Sequence, residues 1–208
     1  MGRYTGPVCK LCRREGMKLF LKGIRCDTPK CSLERRDYPP GMHQWRRGKP
    51  SEYALQLREK QKVKRYYGVY ERQFRRYFEQ AEHAKGNTGS ELLSLLERRL
   101  DNIVHRLGFA LSRPQSRQLV GHGHILVNGK RVDIPSFIVR AGDVIRVKNR
   151  PRSLAAIKTN QEMQQRDVPD FLQVSSSDLP EGTVVRVPEI ADVSIPVEPQ
   201  LIVELCSK

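Results

Sequence analysis

The 208-residue sequence predicts an α+β protein in which a small metal-bound N-terminal knuckle precedes a helical region and a small, basic α/β module. Three observations predict this. Apolar residues recur at helical spacing between Ser51 and Leu107. From Ile125 onward short apolar runs alternate with turn signals, Asn128-Gly129 foremost. Four of the five cysteines fall in the first 31 residues, spaced C-x2-C-x13-C-x4-C.

Zinc takes four soft ligands in a tetrahedron, and Cys9, Cys12, Cys26 and Cys31 would supply them as two short-spaced pairs. One zinc per chain is the expectation; an iron–sulfur cluster takes the same ligands. Disulfides fit less well, because the N-terminus lacks a signal-peptide apolar region and the setting reads as reducing. Gly16, Gly23 and Pro29 allow the turns, and so small a knuckle would take its shape from the metal. Its basic residues, with Arg3, Arg13, Arg14, Arg35 and Arg36 the candidates, would then face phosphates. Cys206 lies in an apolar run and reads as a small core hydrophobe.

Tyr38-Pro-Pro-Gly41 breaks regular structure, and a basic connector follows with Arg46, Arg47 and Lys49. Trp45 either stacks on a base or anchors the connector to a helix; anchoring fits better, since a lone tryptophan is usually partly buried. Ser51 starts a helix that carries Lys62 and runs to Tyr67, stopped by Gly68. A second runs from Tyr70 to Lys85, with Tyr70, Phe74, Tyr77, Phe78 and Ala81 on one face. That stripe reads as core, because aromatic platforms for bases usually lie on open sheets.

The chain is organised around Glu91 to Val147. A helix over Glu91–Leu107 carries Leu92, Leu96, Leu100, Ile103 and Leu107 on one stripe, opened by a Thr88–Glu91 capping pattern and stopped by Gly108. Ser112-Arg-Pro-Gln115 opens a shorter helix that ends in Gly121-His-Gly-His124, ahead of the Asn128-Gly129 hairpin. Arg99, Arg106, Arg113, Arg117, Lys130, Arg131 and Arg140 gather here, a density of cations that suits phosphate contacts. His122 and His124 lack carboxylate or cysteine neighbours and suit phosphate or ribose better than a metal. Arg150-Pro-Arg152 marks a joint, Ser153 to Gln165 reads as a helix, and strands are expected at 171–174, 183–187 and 201–205.

Net charge is +15, the footprint of a nucleic-acid partner. Its distribution is uneven: residues 1–50 carry +9, 51–89 +4, 90–150 +6 and 151–208 −4. RNA would be held by the front and middle, with the acidic end turned towards a basic protein or solvent; Asp167, Asp170, Asp178, Glu181, Glu189 and Asp192 are the candidate contacts there. No apolar run approaches the roughly 20 residues that span a bilayer, so a cytosolic protein is expected. No phosphate loop, dinucleotide fingerprint or nucleophile elbow occurs, and no acid–base constellation emerges. The protein is read as no enzyme, with no catalytic residues and no small-molecule substrate.

Arg106-Leu-Gly-Phe-Ala-Leu-Ser-Arg-Pro-Gln-Ser-Arg-Gln-Leu-Val120, followed by Gly-His-Ile-Leu-Val-Asn-Gly-Lys-Arg-Val132, resembles the S-four (S4) RNA-binding domain. Met1-Gly-Arg-Tyr-Thr-Gly-Pro7, the cysteine knuckle, Tyr38-Pro-Pro-Gly41, Leu57-Arg-Glu-Lys-Gln-Lys62 and Glu71-Arg-Gln-Phe74 resemble, in order, the bacterial small-subunit ribosomal protein S-four family. The resemblance covers essentially the whole chain and weakens after about Arg150.

It implies a knuckle and connector over 1–45, a helical domain over 46–97 completed by a strand-rich 170–208, and an inserted RNA-binding domain over 98–169. It also implies a structural protein of the cytoplasmic ribosome that binds small-subunit rRNA at a multi-helix junction of the 5′ domain and nucleates assembly. Protein S-five (S5) would be a neighbour near the entry of mRNA, where translational accuracy is affected. The alternative is a free-standing metal-containing RNA chaperone or stress factor, which would not co-sediment with the small subunit.

Overall fold

The computed structural model describes residues 2–42, 48–163, 167–175 and 179–207. Helix α1 (Cys9–Glu15) is followed by a 3-10 turn at Gly23–Cys26 and by α2 (Ser32–Arg35). Helices α3 (Glu52–Tyr67), α4 (Glu71–Glu82), α5 (Thr88–Glu97), α6 (Leu100–Arg106) and α7 (Arg113–Gly121) come next. Strands β1 (Ile125–Val127), β2 (Lys130–Arg131) and β3 (Val144–Val147) lead into α8 (Pro151–Met163). The chain ends with β4 (Leu172–Ser175), β5 (Glu181–Val184), a 3-10 turn at Ile190–Asp192 and α9 (Pro199–Cys206). The α+β class stands, and among the described residues no helix is long and apolar enough to cross a membrane. The chain divides into two compact units, Met1–Leu93 with Ser194–Lys208, and Ser94–Val193.

In the first unit the end signals of α3 act as the sequence predicts. The Ser51 hydroxyl accepts the Ala54 N–H at 3.3 Å, and Gly68 closes the helix in the left-handed region at φ 64. Val63, Tyr66 and Tyr67 of α3 are buried, as are Phe74, Tyr77, Phe78 and Ala81 of α4. The aromatic stripe is therefore core, apart from Tyr70, which remains 49% exposed.

The expected strand at 201–205 is instead helix α9, packed on α3 and tied to it by Gln56 Nε2, which donates to Glu204 Oε2 at 3.0 Å. Pro199 sits in its first turn, where the missing N–H is harmless, and a short apolar run carries no period that separates helix from strand.

The cysteine segment also differs from expectation. Cys12, Cys26 and Cys31 are buried, Cys9 is half-buried, and all are free thiols. Among the described residues no group of three or more His, Cys, Asp or Glu is arranged to hold a metal, so the zinc or iron–sulfur knuckle does not stand. Burial, aided by the charges of neighbouring cysteines, pushes the Cys12 and Cys26 thiols up. The segment is held by other contacts. Leu19 and Leu21 are buried, Lys18 pairs with Glu34 at 2.5 Å, and Arg13 clasps Tyr38.

The second unit is built on one antiparallel sheet of order β2-β1-β3-β5-β4. The β1–β2 hairpin pairs Val127 with Lys130 across Asn128 (φ 49) and Gly129 (φ 77), the positive angles its turn requires. Leu100, Ile103 and Val104 of α6, with Leu107 just after it, pack with Val120, Ile125, Ile145, Val147, Ile157, Phe171 and Val184 in the core. Gly182 lets the Leu107 side chain approach closely, because a β-carbon there would force that side chain to shift. Since β5 pairs with β3, residues 172–184 extend this sheet instead of completing the helical unit, and only Ser194–Lys208 returns to the first unit.

The helix expected over Glu91–Leu107 is two. It starts at Thr88, capped by the Asn87 carboxamide, which accepts from Gly89 N and Ser90 N at 2.9 and 3.2 Å. It breaks at Arg98 and Arg99, where Arg99 adopts an extended ψ of 136 and bridges Ile138. The helical hydrogen bonds lost at the break are replaced across the fold: Val139 N donates to Arg98 O at 2.9 Å, and Leu100 N to Phe137 O at 2.8 Å. For α8, residues 164–166 at its expected end lie outside the described residues.

Candidate nucleic-acid interface

The arginines expected to meet phosphate in the second unit separate into two classes. Arg99 is fully buried, and its Nε and Nη2 donate to the two Asp101 oxygens at 3.0 and 2.6 Å. Arg117 Nη1 reaches the same carboxylate at 3.3 Å. Arg106 donates to both oxygens of the fully buried Glu97, each at 3.3 Å, and to Asp192 O at 2.5 Å. Arg113 Nε donates to Asn102 Oδ1 at 2.9 Å, and Asn102 Nδ2 in turn donates to Glu97 at 2.7 Å. Breaking such pairs strands a buried charge. Arg99 and Arg113 are buried and Arg106 and Arg117 half-buried, so these pairs engage all four side chains inside the fold.

The other class lies at the surface, and part of it meets one loop. His122, Lys130, Arg131 and Arg140 are exposed and His124 is half-buried. Gly123 turns the chain at φ 70, which sets the His122 and His124 rings 6.2 Å apart. The Arg131 guanidinium occupies the space that a side chain on Gly123 would fill. Lys148 N donates to His124 O at 2.8 Å, and Arg150 N to Lys148 O at 2.8 Å, which ties two further cations to the loop. Ser153 Oγ lies 3.0 Å from His124 Nδ1. Burial, and then the charges of His122, Arg150 and Lys148, hold His124 below the ordinary histidine range. Lys148 and Arg150 were missed from sequence; the signal was present in Arg150-Pro-Arg152, a basic pair at a helix start.

In the first unit Arg3, Arg14, Arg35, Arg36 and Lys49 are exposed. Arg13 is not: its Nε donates to Tyr38 O at 2.9 Å and its guanidinium lies 4.7 Å from the Tyr38 ring centroid. Lys62 is half-buried against Glu59 at 2.6 Å. Arg72 and Arg76, exposed one turn apart on α4, are cations the sequence reading did not single out. Trp45, Arg46 and Arg47 lie outside the described residues, as does Asp178.

Among the acidic residues near the C-terminus, Glu181 is paired with Arg146 at 2.5 and 3.2 Å, and Asp192 with Arg186 at 2.7 and 2.9 Å. Asp167, Asp170 and Glu189 are exposed.

Residues 3–97 match the family model described as Ribosomal protein S4/S9 N-terminal domain, and residues 98–145 match the S4 domain. The small ribosomal subunit protein uS4 of Thermoanaerobacter sp. (strain X514) is 61% identical over 208 residues, covering 100% of both chains. Those of Thermodesulfovibrio yellowstonii, at 57% over 209 residues, and of Thermus thermophilus, at 56% over 210, also align over 100% of both chains.

Proposed function

Because the chain belongs to the small ribosomal subunit protein uS4 family, we propose that it is a structural, non-catalytic component of the small subunit that binds rRNA. The observation that carries this reading is the sorting of cations in the second unit. Arg99, Arg106, Arg113 and Arg117 are engaged inside the fold, while Arg131, Lys148 and Arg150 are tied to the His122–His124 loop. Such a surface suits backbone phosphates, with selectivity arising from RNA shape, since A-form helices hide base edges in a narrow groove.

The proposal extends to cytoplasmic ribosomes, to nucleation of assembly at a multi-helix junction of the 5′ domain, and to an effect on accuracy near the mRNA entry. The family resemblance supports these points. A basic neighbour such as protein S5 would meet Asp167, Asp170 or Glu189, the exposed acids of the C-terminal region. The test is sedimentation from cells: stoichiometric recovery with small subunits is expected, and a protein found only free in the soluble fraction would point to an RNA chaperone instead.

A further inference from the structure

We propose that His122, His124, Arg131, Lys148 and Arg150 form one site for an RNA backbone phosphate, and that filling the site adds a proton to His124. The inference rests on the rRNA-binding reading above and specifies how this loop takes its ligand.

The geometry points there because cations from four elements are tied to one short loop. His122 stands 6.2 Å from His124, centroid to centroid, on the loop after α7. Arg131 comes from β2 and lies over Gly123; its nearest acid is Asp133, at 3.7 Å. Lys148 follows β3, and Arg150 immediately precedes α8. Burial and then three of these charges hold the His124 pKa below the ordinary histidine range, which favours the uncharged ring in the free site.

Ser153 Oγ lies 3.0 Å from Nδ1; the proposed neutral tautomer has Nδ1 accepting from that hydroxyl and Nε2 carrying the hydrogen. A phosphodiester among the cations screens their repulsion and accepts from Nε2–H, and both effects favour the imidazolium. The added proton comes from solvent and goes to Nδ1, which then donates to Ser153 Oγ; the hydroxyl turns from donor to acceptor and the contact survives. The bound state thus has the higher His124 pKa. The linked affinity is fully present below the free-state pKa and is lost as pH rises through the bound-state pKa, by at most about tenfold per pH unit.

The experiment is calorimetric titration of the full chain with a 5′-domain fragment of small-subunit rRNA, at neutral pH, in two buffers of different ionisation enthalpy. Net uptake of a fraction of a proton is expected in the wild type, together with tighter binding as pH falls from about 8 to about 6. In His124→Gln the proton uptake should be lost and the pH dependence of binding should flatten. Uptake unchanged in His124→Gln overturns the inference. An NMR titration of the wild-type His124 ring, with and without the rRNA fragment, gives a readout free of any folding defect; a His124 pKa that RNA leaves unmoved likewise overturns it. Absence of any RNA binding would instead remove the rRNA reading itself, whereas binding without proton uptake removes the present inference alone.

Discussion

Arg99 and Asp101 face each other two residues apart, joined by two hydrogen bonds of 3.0 and 2.6 Å with the arginine fully buried. The pair sits where α5 ends and α6 begins, so it fixes the break that lets the chain bridge to Ile138. Arg99→Ala removes two hydrogen bonds from the buried Asp101 carboxylate, which keeps the longer contact from Arg117, and should destabilise the second unit by about 3–5 kcal/mol. Chemical denaturation followed by circular dichroism checks this; an unchanged midpoint would place the pair at the surface.

Exposed cations should behave differently. Lys130→Ala, Arg131→Ala and Arg150→Ala are each expected to leave the unfolding midpoint near wild type and to lower the salt slope of rRNA binding by roughly 0.7–0.9. Arg106→Ala should do the reverse, reducing stability because Glu97 loses its ion pair. Binding isotherms across a salt series distinguish the two classes.

Glu71 links α3 to α4 by accepting from Lys60 and Lys64, each at 2.5 Å. Burial alone would raise its pKa, but these two hydrogen bonds and charges prevail and bring it from 4.5 to about 2. A carboxylate with a depressed folded-state pKa contributes stability above its unfolded value and loses it as pH falls through the folded one. The first unit should therefore weaken between about pH 4.5 and pH 2, and Glu71→Gln should flatten that part of the curve. Unfolding midpoints measured across the window test this. A Glu71→Gln curve as steep as wild type would assign the acid sensitivity to other groups.

Gly182→Ala tests the approach of α6 to β5. The new methyl meets the Leu107 side chain at a contact that must give way, and overpacking of this kind costs roughly 1–3 kcal/mol. Pairing it with Leu107→Ala should recover part of the loss in thermal unfolding, because the truncated side chain leaves room for the methyl. Additive losses in the double variant would show that the contact is relieved elsewhere.

What the sequence determined by itself is local. The Ser51 cap, the Gly68 stop, the Ser112 cap, whose side chain accepts from Gln115 N at 3.4 Å, and the Asn128-Gly129 hairpin each depend on a few adjacent residues. The same holds for the aromatic face of α4, whose period is visible in twelve residues. The tertiary structure decided whatever depends on a distant partner. An arginine's sequence context does not say whether a carboxylate will be brought to it, and Arg99, Arg106 and Arg113 became internal because Asp101, Glu97 and Asn102 are placed against them. Residues 201–205 became helix because α3 offers a surface for α9, and β4 and β5 joined the central sheet because β3 offered an edge. The cysteine spacing could show four thiols close in sequence, but an arrangement able to hold a metal is a three-dimensional condition, and none is found among the described residues. Charge, period and turn chemistry are written along the chain, whereas burial and pairing belong to the folded surface against which each side chain comes to rest.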